Sequence, residues 1–124
     1  MIAIGTDIVE VRRIEQVFAR QGQRFLARIL TERELAVAGS LTCPARYLAR
    51  RFAAKEAISK ALGTGIGRQL SWRDLAIESH DSGAPYVVLS SRGRAVLESR
   101  GGNRVLITIS DERAYAVAFA VVLA

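Results

Sequence analysis

A chain of 124 residues has room for a single hydrophobic core, so residues 1–124 are expected to form one domain. With 50% hydrophobic and 24% charged residues it has the composition of a folded globular protein, which excludes a disordered tail. Lys and Arg outnumber Asp and Glu by 18 to 12, and the resulting +6 points to an anionic partner: nucleic acid, a phosphorylated small molecule or an acidic protein.

The opening Met1-Ile2-Ala3-Ile4 is short, apolar and rich in β-branched residues, which predicts a strand stopped by Gly5. From Asp7 the period changes. Ile8, Val11, Ile14, Val17 and Phe18 recur at steps of three and four, predicting an amphipathic helix that ends near Gly22. Phe25, Leu26, Ile29 and Leu30 predict a further short helical piece. Thr31 and Glu34 have the spacing of a capping box, opening a helix that stops at Gly39. The clearest element starts near Thr42-Cys43-Pro44 and runs to Leu62, where Gly63 closes it. Tyr47, Leu48, Phe52, Ala57, Ile58 and Leu62 would form its buried stripe.

After the glycine-rich loop 63–67 the chain turns to strands. Residues 75–79 and 86–89 predict a hairpin around Asp81-Ser82-Gly83. Residues 91–100 predict a short helix closed by Gly101 and Gly102, and strands at 105–110 and 114–123 follow. The last strand is apolar on both faces, which implies helices on one side or a neighbouring subunit. The expected fold class is α+β, a long central helix packed on an antiparallel sheet, with an oligomer favoured.

The longest apolar run, Ala114 to Ala124, is about half of the roughly 20 residues that a membrane-spanning helix needs. The N-terminus lacks the basic start and long apolar stretch of a secretion signal. A single cysteine, Cys43, excludes an intrachain disulfide and a thiolate zinc cluster. A cytoplasmic protein with no membrane partner is expected.

Asp7, between predicted strand and helix, reads either as a helix N-cap or as a carboxylate presented to a hard cation. Glu56 and Lys60 lie one turn apart on the long helix, the spacing of a solvated ion pair. Phe52 shares that face, however, so the face should be partly buried. A buried charge there requires compensation by something such as a metal or a phosphate. The loop Gly63-Thr64-Gly65-Ile66-Gly67 follows a helix and lacks a Gly-Lys-Ser/Thr ending, so it is not a P-loop; it is a C-cap with a tight turn, or backbone open to a ligand. Among the 18 basic residues only Lys55 and Lys60 are lysine. Arg13, Arg20, Arg24 and Arg28 would share roughly one face if the helical phase is kept, and arginine forks suit carboxylates and phosphates. Aromatics make up only 6%, which disfavours a stacking platform for nucleic acid. His80 reads as a surface residue and Cys43 as a buried or half-buried small one.

Three segments together carry a resemblance: Gly5-Thr6-Asp7-Ile8-Val9-Glu10, Arg51-Phe52-Ala53-Ala54-Lys55-Glu56-Ala57, and Lys60-Ala61-Leu62-Gly63-Thr64-Gly65-Ile66-Gly67. In this order and separation the chain resembles the holo-acyl-carrier-protein synthases, the small 4′-phosphopantetheinyl transferases of bacterial fatty-acid synthesis. The resemblance implies transfer of the phosphopantetheine arm of coenzyme A to a serine of apo acyl carrier protein, with release of adenosine 3′,5′-bisphosphate. It implies magnesium held by Asp7 and Glu56, with Lys60 on a coenzyme A phosphate. It further implies backbone at Gly63, Thr64 and Gly65 lining the coenzyme site, Arg51 as another phosphate contact and Pro85 near the nucleotide end. Arg13, Arg20, Arg24 and Arg28 would dock the acidic carrier, and the assembly would be a homotrimer with sites between subunits. The proton acceptor for the serine is left open between Glu56 and a metal-bound water. Many members carry a histidine in the last hairpin; here Ser110-Asp111-Glu112-Arg113 stands there, an acidic form that other members share. The competing reading is a basic nucleic-acid-binding module without catalysis, in which Asp7 and Glu56 would be an N-cap and a surface pair and affinity would fall steeply with salt.

Overall fold

Strand β5, Tyr115–Leu123, is the centre of the molecule. It lies between β1, Ala3–Glu10, and β4, Arg104–Asp111, in a three-stranded antiparallel sheet of order β1-β5-β4. The computed structural model describes residues 2–124, so the expectation that Met1 opens the first strand lies outside the described residues. Along β5 the side chains alternate. Ala116, Ala118, Ala120 and Val122 are buried against the long helix α4, Ala45–Ala61, while Tyr115, Val117 and Phe119 face outward and are exposed. The doubly apolar strand therefore has one face under a helix and the other uncovered within a single chain.

Small residues set the distance between helix and sheet. Ala49, Ala53, Ala54, Ala57 and Ala61 of α4 are all buried in the core, as are the alanines of β5. Gly5 of β1 lies against the same helix: a Cβ there would collide with the Ala57 carbonyl oxygen and come within 2.6 Å of the Ala61 nitrogen. Any side chain at Gly5 would lever β1, and Asp7 with it, away from α4.

The first strand corrects the expected boundary. β1 does not stop at Gly5 but runs to Glu10, and the helix α1, Val11–Gln21, begins only at Val11. The register pairs Asp7 with Ala118, Ile8 with Val117 and Val9 with Ala116, so ladder hydrogen bonds to a strand at the other end of the chain override the three- and four-residue spacing of Ile8 and Val11. Asp7 is consequently a strand residue and not an N-cap. Gly22, at φ 57°, then breaks the helical phase between α1 and α2, Gln23–Ile29.

The remaining elements follow the local signals. Helix α3, Glu32–Gly39, opens on the full capping box: the Glu34 backbone N–H donates to Thr31 Oγ1, and the Thr31 N–H donates to Glu34 Oε1. A 3₁₀ turn, Trp72–Asp74, leads into the hairpin of β2, Leu75–Ser79, and β3, Pro85–Leu89, which forms a separate two-stranded sheet. Helix α5, Ser91–Ser99, is capped by the Ser90 hydroxyl, which accepts from the Gly93 N–H. Tyr47, Leu48, Ala57, Ile58 and Leu62 are buried as expected; Phe52 is only half-buried, because it borders a cleft. Cys43 is exposed, correcting the expectation of burial, since it precedes the first turn of α4 and points away from the core.

Candidate active site

A cleft of about 570 Å³ opens between β1, α1, α2 and α4. At one end it is lined by Asp7, Glu56 and Lys60, brought together by the β1–α4 contact that Gly5 permits. The apolar wall is built by Val17 and Phe25 of the first two helices, Phe52 of α4 and Trp72 of the 3₁₀ turn, with Phe52 and Trp72 at a ring separation of 4.8 Å. Arg13 and Arg28 supply positive charge on the flank. A positively charged edge, an apolar wall and a pair of carboxylates thus share one concavity.

The charges do not pair as helical spacing suggests. Lys60 Nζ donates to Asp7 Oδ1 at 2.9 Å and to the Thr6 carbonyl at 3.0 Å, reaching across to β1 instead of back to Glu56. Glu56, half-buried, has its carboxyl pushed up from the usual range, first by desolvation and then by the Asp7 carboxylate, with Lys60 pulling in the opposite direction. Two carboxylates that repel one another in one cleft are a place where a hard cation would relieve both. The donor set is all oxygen, and among the described residues no cluster of three or more His, Cys, Asp or Glu exists. That fits magnesium, which takes one or two carboxylates and fills its shell from water and phosphates, and does not fit a closed zinc cage.

Of the four arginines expected on one face, Arg13 and Arg28 line the cleft, whereas Arg20 and Arg24 are exposed outside its lining. Arg13 and Arg20 share α1 and Arg24 and Arg28 share α2, so the division falls within each helix: the cleft takes Arg13 from the start of α1 and Arg28 from the end of α2. Arg51 does not join this group. Its guanidinium stacks 4.3 Å from the Tyr47 ring centroid, donates to the Ile77 carbonyl at 3.3 Å, and lines a different cleft with Arg33 and Arg50. The Arg51 Nε is buried without a partner among the described residues. Gly63, Thr64 and Gly65 also lie outside the lining of the Asp7 cleft. They end α4, with the N–H groups of Thr64 and Gly65 both donating to the Ser59 carbonyl, so these donors are already engaged. Pro85 opens β3 opposite Ser79, in the hairpin. His80 is exposed and stacks on Tyr86, 4.3 Å between centroids.

Sequence reasoning missed the most buried charges in the molecule. Lys55 Nζ donates to Glu34 Oε1 at 2.6 Å and to the Ile29 carbonyl at 2.7 Å, while the Ile77 N–H donates to Glu34 Oε2 at 2.8 Å. One ion pair therefore ties α2, α3, α4 and β2 together behind the cleft. Burial pushes the Lys55 ammonium below its usual value although Glu34 pulls it up. The signal was present: Lys55 interrupts the alanine-rich buried surface of α4, where an unpaired lysine is not tolerated. Arg46 forms a second clamp, donating to Asp111 Oδ2 and to the carbonyls of Glu112 and Arg113 and holding the β4–β5 turn onto α4.

The 4′-phosphopantetheinyl transferase superfamily model matches residues 3–120. A holo-[acyl-carrier-protein] synthase of Photobacterium profundum is 47% identical over 118 residues, covering 95% of this chain and 94% of the relative. The crystal structure of the holo-[acyl-carrier-protein] synthase of Neisseria meningitidis superposes with a TM-score of 0.94 at 42% identity, over 100% of both chains. That of Helicobacter pylori, solved in complex with coenzyme A, superposes with a TM-score of 0.84 at 34% identity, covering 96% of this chain and 98% of the other.

Proposed function

Because the chain belongs to the 4′-phosphopantetheinyl transferase superfamily, we propose that its reaction is the one the Asp7 cleft is built to carry. The protein transfers the 4′-phosphopantetheine group of coenzyme A to a serine of apo acyl carrier protein, releasing adenosine 3′,5′-bisphosphate, in fatty-acid biosynthesis. The observation that carries this reading is the convergence of Asp7, Glu56 and Lys60 at one end of a cleft flanked by Arg13 and Arg28. The nucleic-acid-binding alternative has no support, since its N-cap and surface pair are instead a strand carboxylate and a half-buried glutamate facing a common opening.

In the proposed mechanism Asp7 and Glu56 would hold a magnesium ion, which would supply charge compensation for the diphosphate when bound. The serine oxygen attacks the β-phosphorus, and the bond from that phosphorus to the oxygen of adenosine 3′,5′-bisphosphate breaks. Lys60 stabilises the charge that grows on the leaving phosphate. Glu56 is the chain's own candidate to accept the serine proton; a Glu56→Gln variant with full activity would exclude it.

The acidic carrier docks on the arginine-bearing flank. Arg13 and Arg28 are the inner contacts and Arg20 and Arg24 the outer ones, steering the encounter in a salt-sensitive way. Arg51, which within one chain lines another cleft, is proposed to reach a coenzyme A phosphate from a neighbouring subunit. Backbone at Gly63, Thr64 and Gly65 is proposed to line the coenzyme site, with Pro85 near its nucleotide end. We take residues 1–124 as one transferase domain assembled as a homotrimer in the cytoplasm. Support for the assembly is the uncovered apolar face of the sheet, with Ile4, Ile8, Leu106, Tyr115, Val117 and Phe119 exposed side by side. No helix of the described residues is long and apolar enough to cross a membrane.

Intact-mass analysis of an apo acyl carrier protein tests the reading, after incubation with this protein, coenzyme A and magnesium. A gain of one phosphopantetheine that disappears with chelator and with Asp7→Ala is the expected result. No gain with several apo carriers, together with no calorimetric binding of coenzyme A, overturns it.

A further inference from the structure

On the reading of Asp7 and Glu56 as cation ligands, we propose that Lys60 is a displaceable internal counter-ion of Asp7, making the cation and coenzyme A bind as a coupled pair. Lys60 stands one helical turn from Glu56, its ordinary i,i+4 partner. Its ammonium nevertheless donates to Asp7 Oδ1 at 2.9 Å and the Thr6 carbonyl at 3.0 Å. The lysine side chain is 53% exposed and the aspartate side chain 16% exposed, so the ammonium lies over the carboxylate from the solvent side. A cation approaching Asp7 in the free protein therefore meets a positive charge already bonded to one of the oxygens it needs.

Coenzyme A changes that balance. Its diphosphate offers the ammonium a stronger anion, and the lysine's four-carbon stem is exposed and free to turn toward it. Release of Asp7 Oδ1 then opens the carboxylate to the cation at the moment phosphate oxygens arrive to complete its shell. Coupling of this kind is reciprocal, so the cation must also raise affinity for coenzyme A. Arg13 and Arg28 add positive charge to the same cleft, but neither forms an ion pair with Asp7, and Glu10, the remaining acid of the lining, has no ion-pair partner within 4 Å among the described residues.

Mn²⁺ is the probe, titrated against the full chain with and without coenzyme A and followed by loss of the free-ion paramagnetic resonance signal. The Mn²⁺ held by free coenzyme A is subtracted. Without coenzyme A, Lys60→Met should bind Mn²⁺ about tenfold more tightly than the wild type, the low end of what removing one adjacent unit charge is worth near a protein surface. The factor by which coenzyme A tightens Mn²⁺ binding should shrink by the same amount. Arg28→Met removes a charge from the same cleft without touching Asp7 and should tighten Mn²⁺ far less. Lys60→Gln serves if the methionine variant fails to melt cooperatively. Equal or weaker Mn²⁺ binding by the Lys60 variants overturns the proposal, as does an Arg28→Met effect of the same size. Wild-type protein that binds coenzyme A yet never binds Mn²⁺ overturns the two-carboxylate reading instead, and the coupling falls with it.

Discussion

Both lysines of the chain stand on α4, five residues apart, and each is ion-paired to an acid from another element. Lys55 and Glu34 are 0% and 2% exposed, and the ammonium and both carboxylate oxygens have further backbone partners. Lys60 and Asp7 are open to the cleft, and the lysine is more than half exposed. The same chemical pair is thus a fixed rivet on one side of the helix and an exchangeable contact on the other. The difference lies in solvent. A buried pair that loses one partner leaves a charge with nowhere to go, whereas a wet pair can trade its partner for a better anion.

The contrast is broken most directly at the rivet. Lys55→Met strands the Glu34 carboxylate in the core and should cost about 3–5 kcal/mol in urea unfolding. The double variant Lys55→Met/Glu34→Gln, with no net buried charge, should recover at least half of that loss. At the exchangeable side, Asp7→Asn should lower the transfer rate by at least about 100-fold in the intact-mass assay while leaving the urea midpoint nearly unchanged. Lys60→Met should reduce kcat/KM for coenzyme A by roughly 10- to 100-fold, with a stability change inside about 0.5 kcal/mol. A large stability loss there would erase the distinction between the two pairs.

The smallest effect sharpens the comparison through pH. A carboxyl raised above its usual value of 4.5 is favoured in its neutral form by the fold. The stability it contributes is full below 4.5 and is lost as pH rises through the raised value. At pH 7 the ionised Glu56 therefore weighs against the folded state. Glu56→Gln should melt slightly higher than the wild type at pH 7, by less than about 1 kcal/mol because solvent screens the site, with the gap closing below pH 4.5. Its transferase activity should fall even as its melting temperature rises, as expected where an active site stores repulsion.

Elements governed by neighbours in sequence were legible. The Thr31–Glu34 capping box, the ends of α4 and the 75–89 hairpin all depend on contacts a few residues apart, and their boundaries fall within two residues of expectation. Asp7, Glu56 and Lys60 could be named as site residues because their segments resemble a known family in order and separation. Their pairing could not be read. Lys60 and Asp7 are 53 residues apart, and helical spacing offers Glu56 as the nearer partner. The first strand was shortened for a related reason, since residues 7–10 alone satisfy a helical period and only β5 makes them a strand.

By itself the sequence determined the α+β class, the local caps and turns, the basic balance and the residue types that can hold a cation and a phosphate. These properties are set by backbone propensity, apolar periodicity and charge, all of which act over one or two turns of chain. Tertiary structure alone decided that Asp7 sits on a strand, that its ammonium partner is Lys60, that Arg28 and not Arg24 reaches the cleft, and that Glu34 and Lys55 share a dry core. The first two outcomes rest on the close approach of Gly5 and the alanines of β5 to α4, and the last on α2, α3 and β2 meeting α4 around one ion pair; in both, hydrophobic burial presses together groups distant in sequence.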